Sequence, residues 1–205
     1  MYDFAVKPRL TSASPSAGSS ERVQRRRERT RAALLTIGAR RFAERGIAPV
    51  SVEELIGEAD VSRATFYAMF SSKYSLLEGI LNPIFELAIA GLRALATRPA
   101  ADAIDGLIDV YWSLWTTHRD GLLLIPLVDP ETFAHFELKH RELQDALLEL
   151  LLRAERADLL RNGSAQYSLK VIARTAVQLL RVYDGHAAAA AMFRDAVRGL
   201  LLRAH

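Results

Sequence analysis

The sequence predicts an all-α fold, and three observations carry that reading. Glycine and proline are scarce, at 11 and 7 of 205 residues, and gather at a few breaks. Apolar residues recur at i, i+3, i+4 and i+7 through most of the chain, and no segment alternates in the manner of a half-buried strand. Half of the residues are hydrophobic, enough for a substantial core.

Taken in order, residues 1–24 read as a disordered tail. Thr11 to Ser20 are small and polar, and an arginine run follows at Arg22, Arg25, Arg26, Arg27, Arg29 and Arg31. That run is either a solvated helix face or an arm for a DNA minor groove. A first helix is expected from Glu21 or Arg25 to Glu44, burying Leu35, Gly38 and Phe42, with Gly46 as its stop. Ser51 and Glu54 have capping-box spacing, flanked by Val50 and Leu55 at staple positions, so a second helix opens at Ser51. Its inner residues are Val52, Leu55, Ile56 and Ala59. A third opens at Ser62 with Phe66 and Phe70 inward. Asp60, in the three-residue link, falls where a tight turn favours a left-handed residue.

A fourth helix begins near Ser72 and buries Leu76, Leu77, Ile80, Leu81, Ile84 and Leu87. Pro83 lies inside it and predicts a kink or a break between Gly79 and Pro83. After a loop at Thr97 to Ala100, Asp102 to His118 forms an amphipathic helix with Ile104, Leu107, Ile108, Tyr111, Trp112 and Trp115 on one side. Residues 121–128 read as an apolar connector, and Pro130 opens a long helix to about Ala154. Two helices close the chain, about Gln166–Tyr183 and His186–Arg203.

Charge is uneven. Residues 1–80 carry 13 basic and 9 acidic side chains, net +4, whereas residues 81–205 are net −1. The positive part suits contact with a polyanion. Cysteine is absent, which excludes disulfides and thiolate catalysis and points to a cytoplasmic protein. The first twenty residues lack the apolar core of a secretory leader, and Leu122 to Val128 is too short to span a bilayer, so no membrane partner is expected. No glycine-rich phosphate loop or nucleophile motif argues for an enzyme, and no cofactor is expected. His118, His135 and His140 lack metal-ligand spacing.

Three short helices before a long one, with a tight serine-capped turn between the second and third, form a helix-turn-helix unit. The runs Phe42 to Gly46 (FAERG), Ser51 to Ile56 (SVEELI), Ala59 to Tyr67 (ADVSRATFY) and Phe70 to Lys73 (FSSK) resemble the N-terminal domain of the Tet repressor (TetR) family over about residues 30–81. The resemblance implies a DNA-binding domain at residues 25–72 and an effector-binding and dimerisation domain at 73–205. It implies that Arg63 and Ala64 face bases, and that Thr65 and Tyr67 contact phosphate or base edges. Lys73 and Ser51 would anchor phosphates at helix starts. Ser62 and Ala68 complete the expected DNA-binding set. Departures are Asp60 for the family's usual glycine, small or apolar Ala68 and Met69 where larger polar or aromatic residues are common, and Tyr74 for an acid; Ala68 removes a base contact.

The same resemblance implies a small-molecule effector and a homodimer, and makes repression relieved by the effector the expected function. A helix-turn-helix DNA-binding protein without an effector is the alternative. The candidate effector contacts, for a largely apolar molecule, are Tyr111, Trp112, Trp115, His118, Phe133, Phe136, Gln178 and Tyr183, although an aromatic stripe at helical spacing serves a core equally well. The dimer is expected through the last two helices, on faces marked by Leu169, Ile172, Ala176, Leu179 and Leu180, and by Ala187 to Ala191, Met192, Phe193, Val197, Leu200 and Leu201.

Overall fold

A computed structural model describes residues 17–203, with side chains from residue 21 onward. Its first helix, α1 (Ala17–Arg45), begins earlier than the sequence predicts. Residues 1–16 of the expected tail lie outside the described residues, but 17–24 are helical. Pairs one turn apart support them: Arg25 with Glu21 at 2.9 Å and Gln24 with Glu28 at 2.8 Å. The buried stripe of α1 is Leu34, Gly38 and Phe42, with Leu35 only half-buried. Gly38 sets the approach of the fourth helix, since a Cβ there would meet the Leu76 side chain at 2.7 Å. Gly46, at φ 82°, closes α1 in the left-handed region.

Helices α2 (Val52–Glu58) and α3 (Arg63–Tyr67) are each opened by a serine cap. Asp60 between them adopts φ 50°, the conformation its place in the turn predicts. Leu55, Phe66 and Phe70 bury this unit against α1 and α4 (Lys73–Arg93). α4 is one helix through Pro83, so no break occurs there. The carbonyl of Gly79 loses its donor there, but Pro83 is exposed and Ile80, Leu81, Ile84 and Phe85 are buried, so packing keeps the helix continuous. Leu87, expected inside, is 51% exposed.

The irregularity lies in α5 (Ala100–Leu124) instead, where His118 leaves helical geometry at φ −137°, ψ 33°. After a 3-10 turn at Ile125–Leu127, the single helix predicted from Pro130 is divided. α6 (Pro130–Phe133) and a 3-10 turn at Ala134–Phe136 precede α7 (Glu137–Arg156). Buried Phe136 stacks on Phe85 of α4 with ring centroids 6.1 Å apart, drawing the chain inward at that joint.

α8 (Ala165–Tyr183) and α9 (Ala189–Leu201) pack on each other, on α5, and for α8 on α7. Ile172, Ala176, Leu180, Phe193, Val197 and Leu201 are buried inside the subunit. They therefore leave the expected dimer face, because the helices need their strongest apolar stripe for their own core. Val182 (74% exposed), Met192 and Leu200 remain outward with the alanines at 187, 188, 190 and 191. No strand forms among the described residues; an isolated bridge between Leu160 and Leu202 fastens the chain end. α4 alone among the described helices is long and apolar enough to cross a membrane, and half of that stretch is buried inside the protein.

Candidate nucleic-acid interface and interior cavity

The α3 surface follows from its caps. The Ser62 hydroxyl accepts from the Thr65 N–H at 3.1 Å, and the two hydroxyls lie 2.8 Å apart, so Thr65 is held half-buried at the helix start. Phe66 is fully buried and meets Phe70 and the edge of Tyr67. With that anchor inward, Arg63, Ala64, Tyr67 and Ala68 face out, Tyr67 with 48% of its surface exposed. Arg63 forms an ion pair with Glu53 of α2. Both partners are largely exposed, so the pair is worth ~0–1 kcal/mol and releases readily.

Two expected phosphate anchors are otherwise engaged. Lys73 Nζ donates to the carbonyls of Ile47, Ala48 and Val50 at 3.0, 2.7 and 3.1 Å. All three of its protons are used, and the loop between α1 and α2 is bound to the start of α4. Ser51 accepts from the Glu54 N–H at 3.2 Å, and its own N–H donates to the Glu54 carboxylate at 2.9 Å. That backbone bond and the Arg45 guanidinium at 2.6 Å pull the Glu54 carboxyl down to about 2. Carboxylates of Glu53 and Glu54 thus occupy the start of α2, which suits its dipole and opposes a phosphate there.

A second candidate site is a cavity of about 120 Å³ enclosed by α4, α5, α7 and α8. Its walls are Ile84, Phe85, Ala88 and Leu92, then Leu107, Val110, Tyr111, Leu114 and Leu122, with Ile125 beyond α5, then His140, Leu143, Gln144 and Leu147, and finally Leu169, Ala173 and Val177. No Lys, Arg, Asp or Glu lines it. Burial pushes the Tyr111 phenol up to about 12, and its hydroxyl makes no hydrogen bond among the described residues. Burial also lowers the His140 pKa, favouring neutral imidazole, and its Nε2 lies 3.4 Å from the Gln144 amide.

Of the expected effector contacts, Tyr111 alone lines this cavity. Trp115 is buried in a clasp: its indole N–H donates to Asp184 at 3.3 Å, Arg119 donates to the same carboxylate at 2.7 Å, and the guanidinium lies over the indole ring. Trp112 is half-buried away from the cavity. His118 lines a different, open cleft of about 640 Å³ beside Thr36, Ile80 and Pro83. Phe133 and Phe136 stand behind the wall, packed on each other and on His140 or Phe85. Gln178 is exposed and Tyr183 half-buried outside the lining. Sequence reasoning passes over His140 and Gln144; their i, i+4 spacing beside Leu143 and Leu147 is the available signal.

Comparison with known proteins agrees with this geometry. Residues 34–80, from α1 into α4, match the family described as bacterial regulatory proteins, tetR family. The HTH-type transcriptional regulator EthR of Mycobacterium tuberculosis is 30% identical over 91 residues, which is 42% of this chain and 42% of that protein. The match thus spans less than half the length of the curated relative. Solved structures share the fold over most of the chain. The ketosteroid transcriptional regulator KstR2 of M. tuberculosis superposes with a TM-score of 0.72 at 19% identity, covering 85% of this chain and 95% of that one. A complex of SmeT with triclosan gives 0.61 at 17% identity, covering 85% and 92%; SmeT is the repressor of a multidrug efflux pump in Stenotrophomonas maltophilia. The N-terminal helix-turn-helix, residues 34–80, is thus similar to that of the tetR family of bacterial regulatory proteins, and the helical body behind it shares the fold of these solved regulators.

Proposed function

We propose that the protein is a cytoplasmic, dimeric repressor that holds operator DNA with α3 and releases it when a small, largely apolar molecule enters the interior cavity. One observation carries this reading. α4 supplies a cavity wall through Ile84, Phe85, Ala88 and Leu92, while its first residue, Lys73, is bound to the loop that supports the helix-turn-helix. The cavity, at about 120 Å³, is below the ~300–1,000 Å³ usual for ligand pockets. An effector must therefore press its walls apart, and the wall formed by α4 carries the DNA-binding unit.

On the DNA side, Arg63 and Ala64 face bases, with Thr65 and Tyr67 on phosphate or base edges; Ser51 and Lys73 act as structural fastenings. A single α3 reads few base pairs, and a twofold dimer through the outward side of α8 and α9 supplies a second one. The absence of charged lining residues favours an uncharged effector with one hydrogen-bonding group, met by Tyr111, His140 or Gln144. The triclosan complex of SmeT supports ligand binding within this fold.

The test is to recover genomic fragments bound by the purified protein, screen compounds for a rise in melting temperature, and titrate each hit against a bound fragment. Competition between hit and DNA is expected, since each favours a different arrangement. A compound that occupies the cavity and leaves DNA affinity unchanged refutes the coupling. DNA binding without any stabilising compound would favour the regulator that has no effector.

A further inference from the structure

The first turns of α1 have no role in the helix-turn-helix core. Residues 21–29 are all exposed, and Val23, the one aliphatic side chain there, is 69% exposed. The stretch from Ala17 to Arg29 is about 20 Å of helix at ~1.5 Å per residue. A helix segment without an apolar face gains nothing from folding against its own protein. What it offers is charge in order. Arg22, Arg25 or Arg26, and Arg29 follow i, i+3 or i+4, i+7 and share one side, while Glu21, Gln24 and Glu28 fall on the other. Arg22, Arg26 and Arg29 have no acidic partner among the described residues; Arg25 pairs with Glu21.

Its location is fixed by two contacts with the DNA-facing unit. Arg27 donates to the carbonyl of Ala68, the residue that ends α3, at 3.3 Å. Val23, Arg26, Arg27 and Thr30 form one wall of a groove whose other wall includes Ser62 and Thr65 of the α3 start. The basic helix thus runs alongside the recognition helix.

We propose that the N-terminal extension of α1 is a second DNA-contact element, which lays Arg22, Arg26 and Arg29 on the phosphate backbone flanking the site occupied by α3. The partner is duplex DNA because Arg26 of the stripe borders the groove that opens on the start of α3, and regular arginine spacing on a helix matches a closely spaced row of phosphates. The contact adds affinity without sequence preference and lengthens the protected stretch. This inference rests on the DNA-binding reading of α3.

The experiment compares the full chain with R22Q/R26Q/R29Q and R22K/R26K/R29K variants on a 30-base-pair duplex of mixed sequence, over a salt series. All three side chains are exposed, so helical content and melting temperature serve as folding controls. The expected result is that the glutamine variant lowers the slope of log affinity against log salt by about 2–3, at ~0.9 for each phosphate no longer neutralised, while the lysine variant keeps the slope. A glutamine variant with the wild-type slope overturns the proposal and leaves the α3 reading standing. A lysine variant that falls as far as the glutamine one also overturns it, since charge would not be the cause. Wild-type protein that binds no duplex overturns both readings, and leaves an acidic protein as the stripe's partner.

Discussion

The ammonium of Lys73 lies 2.7 Å from the carbonyl of Ala48, joining the first residue of α4 to the loop that ends α1. Two further carbonyls, of Ile47 and Val50, share the same ammonium. Lys73→Met should therefore lower folding stability by about 2 kcal/mol, the scale for hydrogen bonds to a charged group. Because the side chain is already used within the protein, the salt dependence of DNA binding should keep its slope. A slope lower by about 1 with unchanged stability would return Lys73 to the phosphate contacts.

Ala88 provides a test of the cavity. It is 6% exposed and stands in the α4 wall. Ala88→Leu should fill much of the space at an overpacking cost of about 1–3 kcal/mol. Any compound that raises the melting temperature of the wild-type protein should lose that effect on the variant, while DNA affinity is kept. Ligand at a hundred times its Kd stabilises by about 2.7 kcal/mol, so the lost shift is measurable. A compound that still stabilises the variant binds elsewhere, the open cleft beside His118 being the next place to examine.

Glu54 makes α2 acid-sensitive in a defined window. Its carboxyl falls from 4.5 to about 2 in the folded protein, through the Ser51 N–H first and then Arg45. A depressed folded pKa means that the contribution is complete above pH 4.5 and is lost as pH falls through 2. Glu54→Gln should lose that contribution and so lower thermal stability at neutral pH, with a flatter loss between pH 4.5 and 2, so that the two proteins converge at the acid end. Parallel acid profiles for the two proteins would remove Glu54 as a source of acid sensitivity.

The outward side of α8 and α9 predicts the effect of added charge on assembly. Leu200 is 38% and Met192 36% exposed after the core has taken Phe193, Val197 and Leu201 of α9. Leu200→Glu with Met192→Glu should convert a dimer to monomers in sedimentation velocity while circular dichroism stays helical. A dimer that survives both changes assembles through another face.

Local spacing made much of the fold legible. Serines at positions 51 and 62 cap their helices because the cap and the N–H it binds are three residues apart, within reach of sequence reasoning. Asp60 marks its left-handed turn for the same local reason. Pairings between distant segments were not legible. Nothing near Lys73 announces carbonyls some 25 residues away, and nothing near Trp115 announces Asp184. The break at His118 carries no glycine or proline, whereas Pro83 carries the signal of a break and lies inside one continuous helix. For the cavity, helical periodicity identifies the inward side of α5 but not which inward residues border empty space. Trp115 fills its surroundings and Tyr111 does not.

The most direct test of the central claim, that the outward side of α3 grips DNA, is selection of bound duplexes from a randomised library by the wild-type protein and by Arg63→Ala. The account predicts a twofold-symmetric preference for the wild type. Loss of Arg63 should cost about 1–3 kcal/mol and relax preference at one base pair in each half-site. An Arg63→Ala protein with the wild-type preference and affinity would contradict it.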